Sequence, residues 1–262
     1  MIAAERQNYI LKRLRMDSVV SVQELAREFK TTEMTVRRDL ALLEKQGALT
    51  RSYGGAVTNE KVGFESYFSS RQAEHPDIKR KIAAKAAGYI TDGDSIAIDI
   101  GTTAFEITKH IKDIRDLNVI TASLPVLMEL SSHSNIKVIC TGGELSQKDL
   151  SFNGHNAVNT IREYILDKVF VGVAGISFEH GYTLYNVQDT LVKRELIQRA
   201  RETIIVADSS KIGLEKYSFL CNIEAASKII TDSAISDEDR RRFESCGVEV
   251  ILADEEEPGT ER

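Results

Sequence analysis

Apolar residues change their spacing along the chain. Up to residue 57 they recur at helical period in three short segments; from Asp94 they gather in short runs separated by further helical stretches. In the first segment Ile10, Leu11 and Leu14 fall on one side between Arg6 and Arg15. The second, SVQELAREF, opens with Ser21 and Glu24 at capping-box spacing, and Leu25, Ala26 and Phe29 line one side. The third starts at Thr31 or Thr32 as N-cap and sets Val36, Leu40 and Leu43 at i, i+4 and i+7, a buried stripe. At about 100° per residue, Arg38 lies nearly opposite that stripe, Met34 and Thr35 also point outward, and Arg37 sits on the flank. ALTRSYGGAV (48–57) then reads as a short hairpin turned at Gly54-Gly55, with Arg51 outward.

Residues 58–76 show no sustained period and read as a linker, with Phe64, Tyr67 and Phe68 docking it against a domain. Pro76 opens a helix in which Ile78, Ile82, Ala86 and Ile90 form the stripe. Seven β-branched runs follow, at 94–100, 118–123, 137–142, 168–176, 203–210, 227–232 and 248–254. Runs of this kind separated by helices predict right-handed crossovers and a parallel sheet covered on both faces.

A short helix, a turn and a second helix with cationic and hydroxylic outward residues make a helix-turn-helix, whose second helix reads the major groove. Thr32, Met34, Thr35, Arg37 and Arg38 are the candidate contacts there. Arginine pairs bidentately with guanine, and Met34 suits a thymine methyl. Arg51 on the hairpin would lie along phosphates. The plain alternative is a helical protein-docking module with a solvated arginine pair. The net charge of −6 argues against nucleic acid only on average. Residues 1–57 carry ten Lys/Arg against seven Asp/Glu, and the remainder 24 against 33. A basic head on an acidic body predicts two domains with different partners.

Composition narrows the rest. With 42% hydrophobic and 28% charged residues the chain is an ordinary globular protein, with no stretch of 18 apolar residues and no apolar core of a signal peptide near its N-terminus. Cys140, Cys221 and Cys246 are odd in number and widely spaced, which predicts reduced thiols and a cytoplasmic setting. Five scattered histidines give no metal site. GVAGI lacks the glycine spacing of a dinucleotide fingerprint, so no cofactor is expected.

In parallel sheets, ligands sit beyond the carboxyl ends of the strands. There the sequence offers Asp99 with Gly101, Thr102 and Thr103; Ser123; Gly142 and Gly143; and Asp208 with Lys211. Asp189 and Lys193 stand four apart on a helix, where a surface pair is the bland reading. Each signal is weak by itself. Together they predict a cradle for a phosphorylated small molecule, with Thr102, Thr103, Gly142, Gly143 and Lys211 on the phosphate and with Asp99, Asp189 and Lys193 on sugar hydroxyls or neighbouring charge.

VQELAREFKTTEMTVRRDLALLEKQGALTRSYGGAV resembles the N-terminal domain of the DeoR family of bacterial transcriptional regulators, with its ELA helix, T-V-R-R-D-L recognition helix and L-x-R-x-x-G-G-A wing. DGDSIAIDIGTT, VITAS, TGGELS, DKVFVGVAGI, VKRELI and VADSSKIG resemble that family's C-terminal sensor. The resemblance implies a fold shared with ribose-5-phosphate isomerase, glucosamine-6-phosphate deaminase and CoA transferases, and a sugar-phosphate ligand. It also implies that Asp39 orients Arg37 or Arg38. The sequence departs from the family at Ala122, where T-N-S is usual, and at Gln188-Asp189, where an acidic pair is usual.

The expected organisation is a winged helix-turn-helix over 1–57, a linker over 58–76, a parallel-sheet α/β sensor over 77–255 and a tail over 256–262. The expected function is a DNA-binding regulator, a repressor of a carbohydrate-utilisation operon controlled by a phosphorylated sugar. It is not an enzyme, it assembles as a homodimer or homotetramer, and it has no membrane partner. The alternative is an isomerase-like enzyme with an accessory DNA-binding domain, with Asp99, Asp189 and Lys211 as the groups that could move protons.

Overall fold

A computed structural model describes residues 3–17, 19–45, 48–52, 54–58 and 68–255. The expected tail at 256–262 lies outside them, as do Phe64 and Tyr67 of the expected linker. The chain divides into two compact units between Ser70 and Arg71.

In the first unit the predicted stripes close on one another. Helix α1 (Ala3–Asp17) supplies Ile10 and Leu14, α2 (Val22–Glu28) supplies Leu25, and α3 (Glu33–Lys45) supplies Val36, Leu40 and Leu43, all buried in one core. A three-stranded sheet completes the unit, with β3 (Gly55–Thr58) between β1 (Val19–Ser21) and β2 (Leu49–Ser52). The β2–β3 pair is the predicted wing; β1 is too short to stand out in sequence. Gly54 turns the wing at a φ of +83°, and a Cβ on Gly55 would overlap the Val20 carbonyl oxygen, so β1 can pair there only with glycine. That pairing also explains a departure at Ser21. It stands at the N-cap of α2, but it ends β1 and its side chain makes no capping bond.

The second unit begins within a five-residue helix, α4 (Phe68–Gln72), in the span expected to be linker. Helix α5 (Pro76–Ala87) follows, and its buried side is Lys79, Ile82, Ala83, Ala86 and Ala87. The stripe is therefore turned from the expected one: Ile78 is only half-buried and a lysine takes the inward place. The chain continues through β4 (Ser95–Ile98), α6 (Thr102–Ile107), β5 (Leu117–Thr121), α7 (Leu124–Leu130) and β6 (Ile136–Cys140). A hairpin, β7 (Glu144–Ser146) and β8 (Ser151–Asn153), leads to α8 (His155–Arg162) and β9 (Leu166–Val171). After β10 (Gly175–Ser177) and β11 (Gly181–Leu184) come α9 (Val187–Arg199), β12 (Ala200–Val206), β13 (Ser218–Cys221), β14 (Lys228–Thr231), α10 (Asp237–Ser245) and β15 (Glu249–Leu252).

Each of the seven predicted runs supplies one strand of a single parallel sheet, in the order β15-β14-β12-β9-β4-β5-β6. The run at 168–176 breaks after Val171 and also supplies β10, which joins β11 and β13 in a small antiparallel sheet. Consecutive residues Ile96–Ile98 and Val169–Val171 are all fully buried. Neighbours on a strand face opposite ways, so both faces are covered at the sheet centre. No helix among the described residues is long and apolar enough to cross a membrane.

Strand order fixes where a ligand would sit. From β4 the chain steps through β5 and β6 in one direction; from β9 it steps through β12, β14 and β15 in the other. The reversal lies between β4 and β9, and the crevice past their carboxyl ends is the switch point of the sheet.

Candidate functional site

That crevice is lined by charge. Asp99 follows β4 and is fully buried. Its Oδ2 accepts the Gly172 N–H at 2.9 Å and lies 2.8 Å from Lys193 Nζ, while Oδ1 has no hydrogen-bond partner. Lys193, 3% exposed, reaches in from α9, donates to the Gly172 carbonyl at 2.7 Å and lies 3.8 Å from Asp189. Asn186 caps α9 by accepting the Asp189 N–H at 2.7 Å, which holds Asp189 on the inward side of the first turn. Asp189 and Lys193 are therefore not a surface pair. Burial works against the Lys193 cation, but Asp99 and Asp189 outweigh it and hold its pKa above the ordinary lysine value. Gly101 and Gly172 face each other so closely that a Cβ on either would touch the other's Cα.

The other predicted residues flank this centre. Thr102 and Thr103, both buried, open α6 just past the end of β4. Ser123 follows β5, where its Oγ accepts the Val126 N–H and its backbone bridges to Ser151. Gly142 and Gly143 follow β6 at φ of +63° and +111°, and a Cβ on Gly143 would overlap the Asn153 carbonyl oxygen. Asp208 follows β12, two strands from β4, so the structure does not bring it into contact with Asp99. Burial acts to raise the Asp208 carboxyl, yet Lys211, the Ser210 hydroxyl, His75 and Lys79 together hold it below its ordinary range. The Lys211 backbone N–H donates to the Asp208 carbonyl at 3.1 Å, while its half-buried ammonium makes no side-chain hydrogen bond or close ion pair among the described residues and acts on Asp208 through its charge alone.

On the first unit, Thr32 caps α3: its Oγ1 accepts the Thr35 N–H at 3.2 Å. Met34 is 74% exposed, and Arg37 and Arg38 stand outward beside it. Among the described residues Arg37 pairs with Glu33, at 3.3 Å across an exposed pair, and Arg51 meets Glu44 at 2.6 Å. Asp39 does not orient either recognition arginine. Neighbours one or two apart on a helix do not face each other. Asp39 is buried, and it accepts Arg6 Nε of α1 at 2.7 Å, so it fastens two helices of the core.

Comparison with known proteins accounts for both units. The DeoR-like helix-turn-helix domain matches residues 6–62, and the DeoR C-terminal sensor domain matches residues 74–233. The chain belongs to the DeoR family. It is 39% identical over 250 residues to the uncharacterized HTH-type transcriptional regulator YulB of Bacillus subtilis strain 168, covering 95% of this chain and 96% of that protein. It is 32% identical over 260 residues to the HTH-type transcriptional repressor GlcR of the same organism, covering 98% and 99%. It is 31% identical over 254 residues to a putative aga operon transcriptional repressor of Escherichia coli O157:H7, covering 96% and 94%. Among solved structures it is similar to ribose 5-phosphate isomerase A of Methanocaldococcus jannaschii at 18% identity and a TM-score of 0.40, covering 53% and 55%, too loose a likeness to argue from.

Three polar residues of this DeoR-family sensor were not picked out by sequence. Lys79, 4% exposed, donates to the Arg71 carbonyl. Burial pushes its amine down to about 8; Lys211 and Arg71 add repulsion, while Glu74 and Asp208 oppose it. Arg71 reaches Asp149 at 3.3 Å, and its charge is felt by Lys193 and by Lys79. Asp232, after β14, accepts both the N–H and the hydroxyl of Ser209 and so braces the turn that carries Lys211. Lys79 had a signal: a lysine three and four residues before Ile82 and Ala83 stands on their buried side. Arg71 lay hidden in an aperiodic stretch.

Proposed function

We propose that this chain is a transcriptional repressor whose hold on operator DNA is set by a phosphorylated sugar bound past the carboxyl ends of β4 and β9. The observation that carries the reading is a chain of cations, each within electrostatic range of the next, from Lys193 at that switch point through Arg71 and Lys79 to Lys211 on the β12 side, on a body whose net charge is negative. Lys193 is already neutralised by Asp99 and Asp189. The cations left to meet a phosphate are Lys211 and Lys79, with Thr102, Thr103, Gly142 and Gly143 supplying neutral donors. Commitment of both Asp99 and Asp189 to Lys193 leaves neither poised as a general base, which favours a sensor over an isomerase. Relatives named as repressors, one of them a putative repressor of the aga operon, support the sign of the regulation.

On the operator, Arg37 and Arg38 would read base edges from α3 while Arg51 meets phosphate. One winged unit buries too little surface for tight specific binding, so two-fold pairing as a homodimer or homotetramer is part of the proposal. A strictly monomeric chain by light scattering, with and without operator, contradicts that part.

A ligand changes operator affinity only by binding two arrangements unequally. Lys79 supplies a route: an anion that draws its amine away from the Arg71 carbonyl loosens the first peptide of the sensor unit, directly after Ser70. The decisive test is calorimetric titration of a sugar phosphate and its unphosphorylated sugar into wild type and Lys211→Ala. The phosphate form is expected to bind more tightly, with the difference lost in the variant and ligand-free operator binding intact. Equal binding of both forms by wild type, or an unaltered phosphate affinity in the variant, defeats the reading.

A further inference from the structure

One polar side chain beside the crevice is only half used by the fold. Asn153 ends β8 and is 8% exposed. Its amide nitrogen donates to Ser151 Oγ at 3.1 Å, and its amide oxygen, closed off from solvent, has no hydrogen-bond partner. Buried amide groups are nearly always satisfied at both ends, so an orphaned end calls for a reason.

The surroundings supply one. Strand β8 runs antiparallel past the end of β5: Ser123 bridges to Ser151, and the Phe152 N–H donates to the Ala122 carbonyl at 2.7 Å. Ser151 and Asn153 share a face of β8, opposite to Phe152. The backbone of Asn153 is packed against Gly143, and β8 lies beside α9, which carries Asp189 and Lys193. At the tip of β5 itself the side chain at 122 is an alanine and the Ser123 hydroxyl caps α7. Asn153 is therefore the neutral polar group offered on this flank, and the cations Lys79 and Lys211 lie on the β12 side of the sheet. The crevice holds a second orphan of the same kind, Asp99 Oδ1.

We infer that Asn153 is a specificity-determining residue of the effector site: it pairs with a hydroxyl of the ligand's polyol portion, away from the phosphate. The inference rests on the reading that this crevice takes a phosphorylated sugar. A hydroxyl is the fitting partner because it both donates and accepts. It completes the amide whichever end Ser151 holds, since the serine hydroxyl is equally two-sided. A carboxylate or a fully ionised phosphate monoester has no donor to offer the amide oxygen where that is the free end, whereas a hydroxyl suits either end.

The test uses the full-length protein and two variants. Asn153→Leu removes the amide at similar size. Asn153→Thr keeps a hydroxyl for Ser151 on a residue suited to a strand and guards against a folding defect in the first. Calorimetric titrations compare inorganic phosphate with a panel of hexose phosphates and their singly deoxygenated analogues. The expected result is that both variants bind the preferred hexose phosphate at least tenfold more weakly, with phosphate affinity changed less than twofold. One deoxy analogue should bind wild type as weakly as the variants bind the parent compound. A merely structural role would weaken phosphate and sugar phosphate together, and that outcome overturns the inference, as does unchanged selectivity in both variants. Wild type that binds neither phosphate nor any hexose phosphate removes the parent reading and this inference with it. Wild type that binds while the variants keep its selectivity removes only this one.

Discussion

The outward face of α3 and the crevice between β4 and β9 use charge in opposite ways. On α3, Arg37 is 52% exposed and, among the described residues, its ion pair is with a similarly exposed glutamate. Such a pair is worth little, so the guanidinium can leave it for a phosphate or a guanine edge. In the crevice, Lys193 and Asp99 are 4% and 0% exposed and locked 2.8 Å apart. That pair is scaffold first. Exposed charge keeps its freedom until a partner arrives, whereas buried charge must be answered inside the fold, and only the remainder (Lys211, Lys79) is left for a ligand. On the proposed reading, contact with DNA and sensing of a small anion would divide between charges that the fold ignores and charges that it has nearly cancelled.

The comparison breaks most visibly at Lys193. Lys193→Met would strand Asp99 and Asp189 without their cation, and thermal unfolding should show a loss of about 3–5 kcal/mol. For a unit of this size that is roughly ten degrees or more in Tm. Arg38→Ala is the counterpart on the exposed side. It should cost about 1–3 kcal/mol of operator binding in a gel shift at fixed salt, with the melting temperature unchanged. Should Arg38→Ala also unfold the protein, the claim that the fold ignores this charge is wrong.

The smallest effect is a pH dependence and concerns the uncancelled remainder. Lys79 titrates near 8 in the free protein, and a bound anion would raise that value. Below pH 8 the amine is already charged and binding takes up no proton. Above it binding must protonate the amine, so sugar-phosphate affinity should fall, by no more than tenfold per unit, between pH 8 and 10. Titration at pH 7.5 and 9.5 reads this directly, and Lys79→Met should flatten it. The ligand-free protein should move the other way. Because the folded pKa lies below that of the unfolded chain, stability should rise with pH from about 8 toward 10.5.

How far these features were legible follows from the physics of each. The seven parallel strands were, because a strand buried on both faces must be a continuous β-branched run, as in DSIAIDI or TIIVADSS. The Val36–Leu40–Leu43 stripe was, because it repeats at helical period. The three-residue strands β7, β8 and β10 were not, since three residues carry no period, and Asn153 was lost with them. Lys79 was misplaced because Ile78, one position away, offered a more conventional inward residue. Asp39 was misread because its partner, Arg6, lies 33 residues upstream, where no local pattern can point to it.

The β4–β9 pairing has a consequence for how the protein comes into being. Asp99 meets Gly172 across 73 positions of sequence, and Lys193 must be present to close the cluster. The core cluster and the wing pairing described for the first unit, by contrast, lie within the first 58 residues. Ribosomal synthesis therefore delivers a finished DNA-reading head on the order of ten seconds before a ligand crevice can exist. Through that interval the nascent chain carries its helix-turn-helix unit without the second unit, and loop closure across β4–β9 is the slow non-local step that completes the fold.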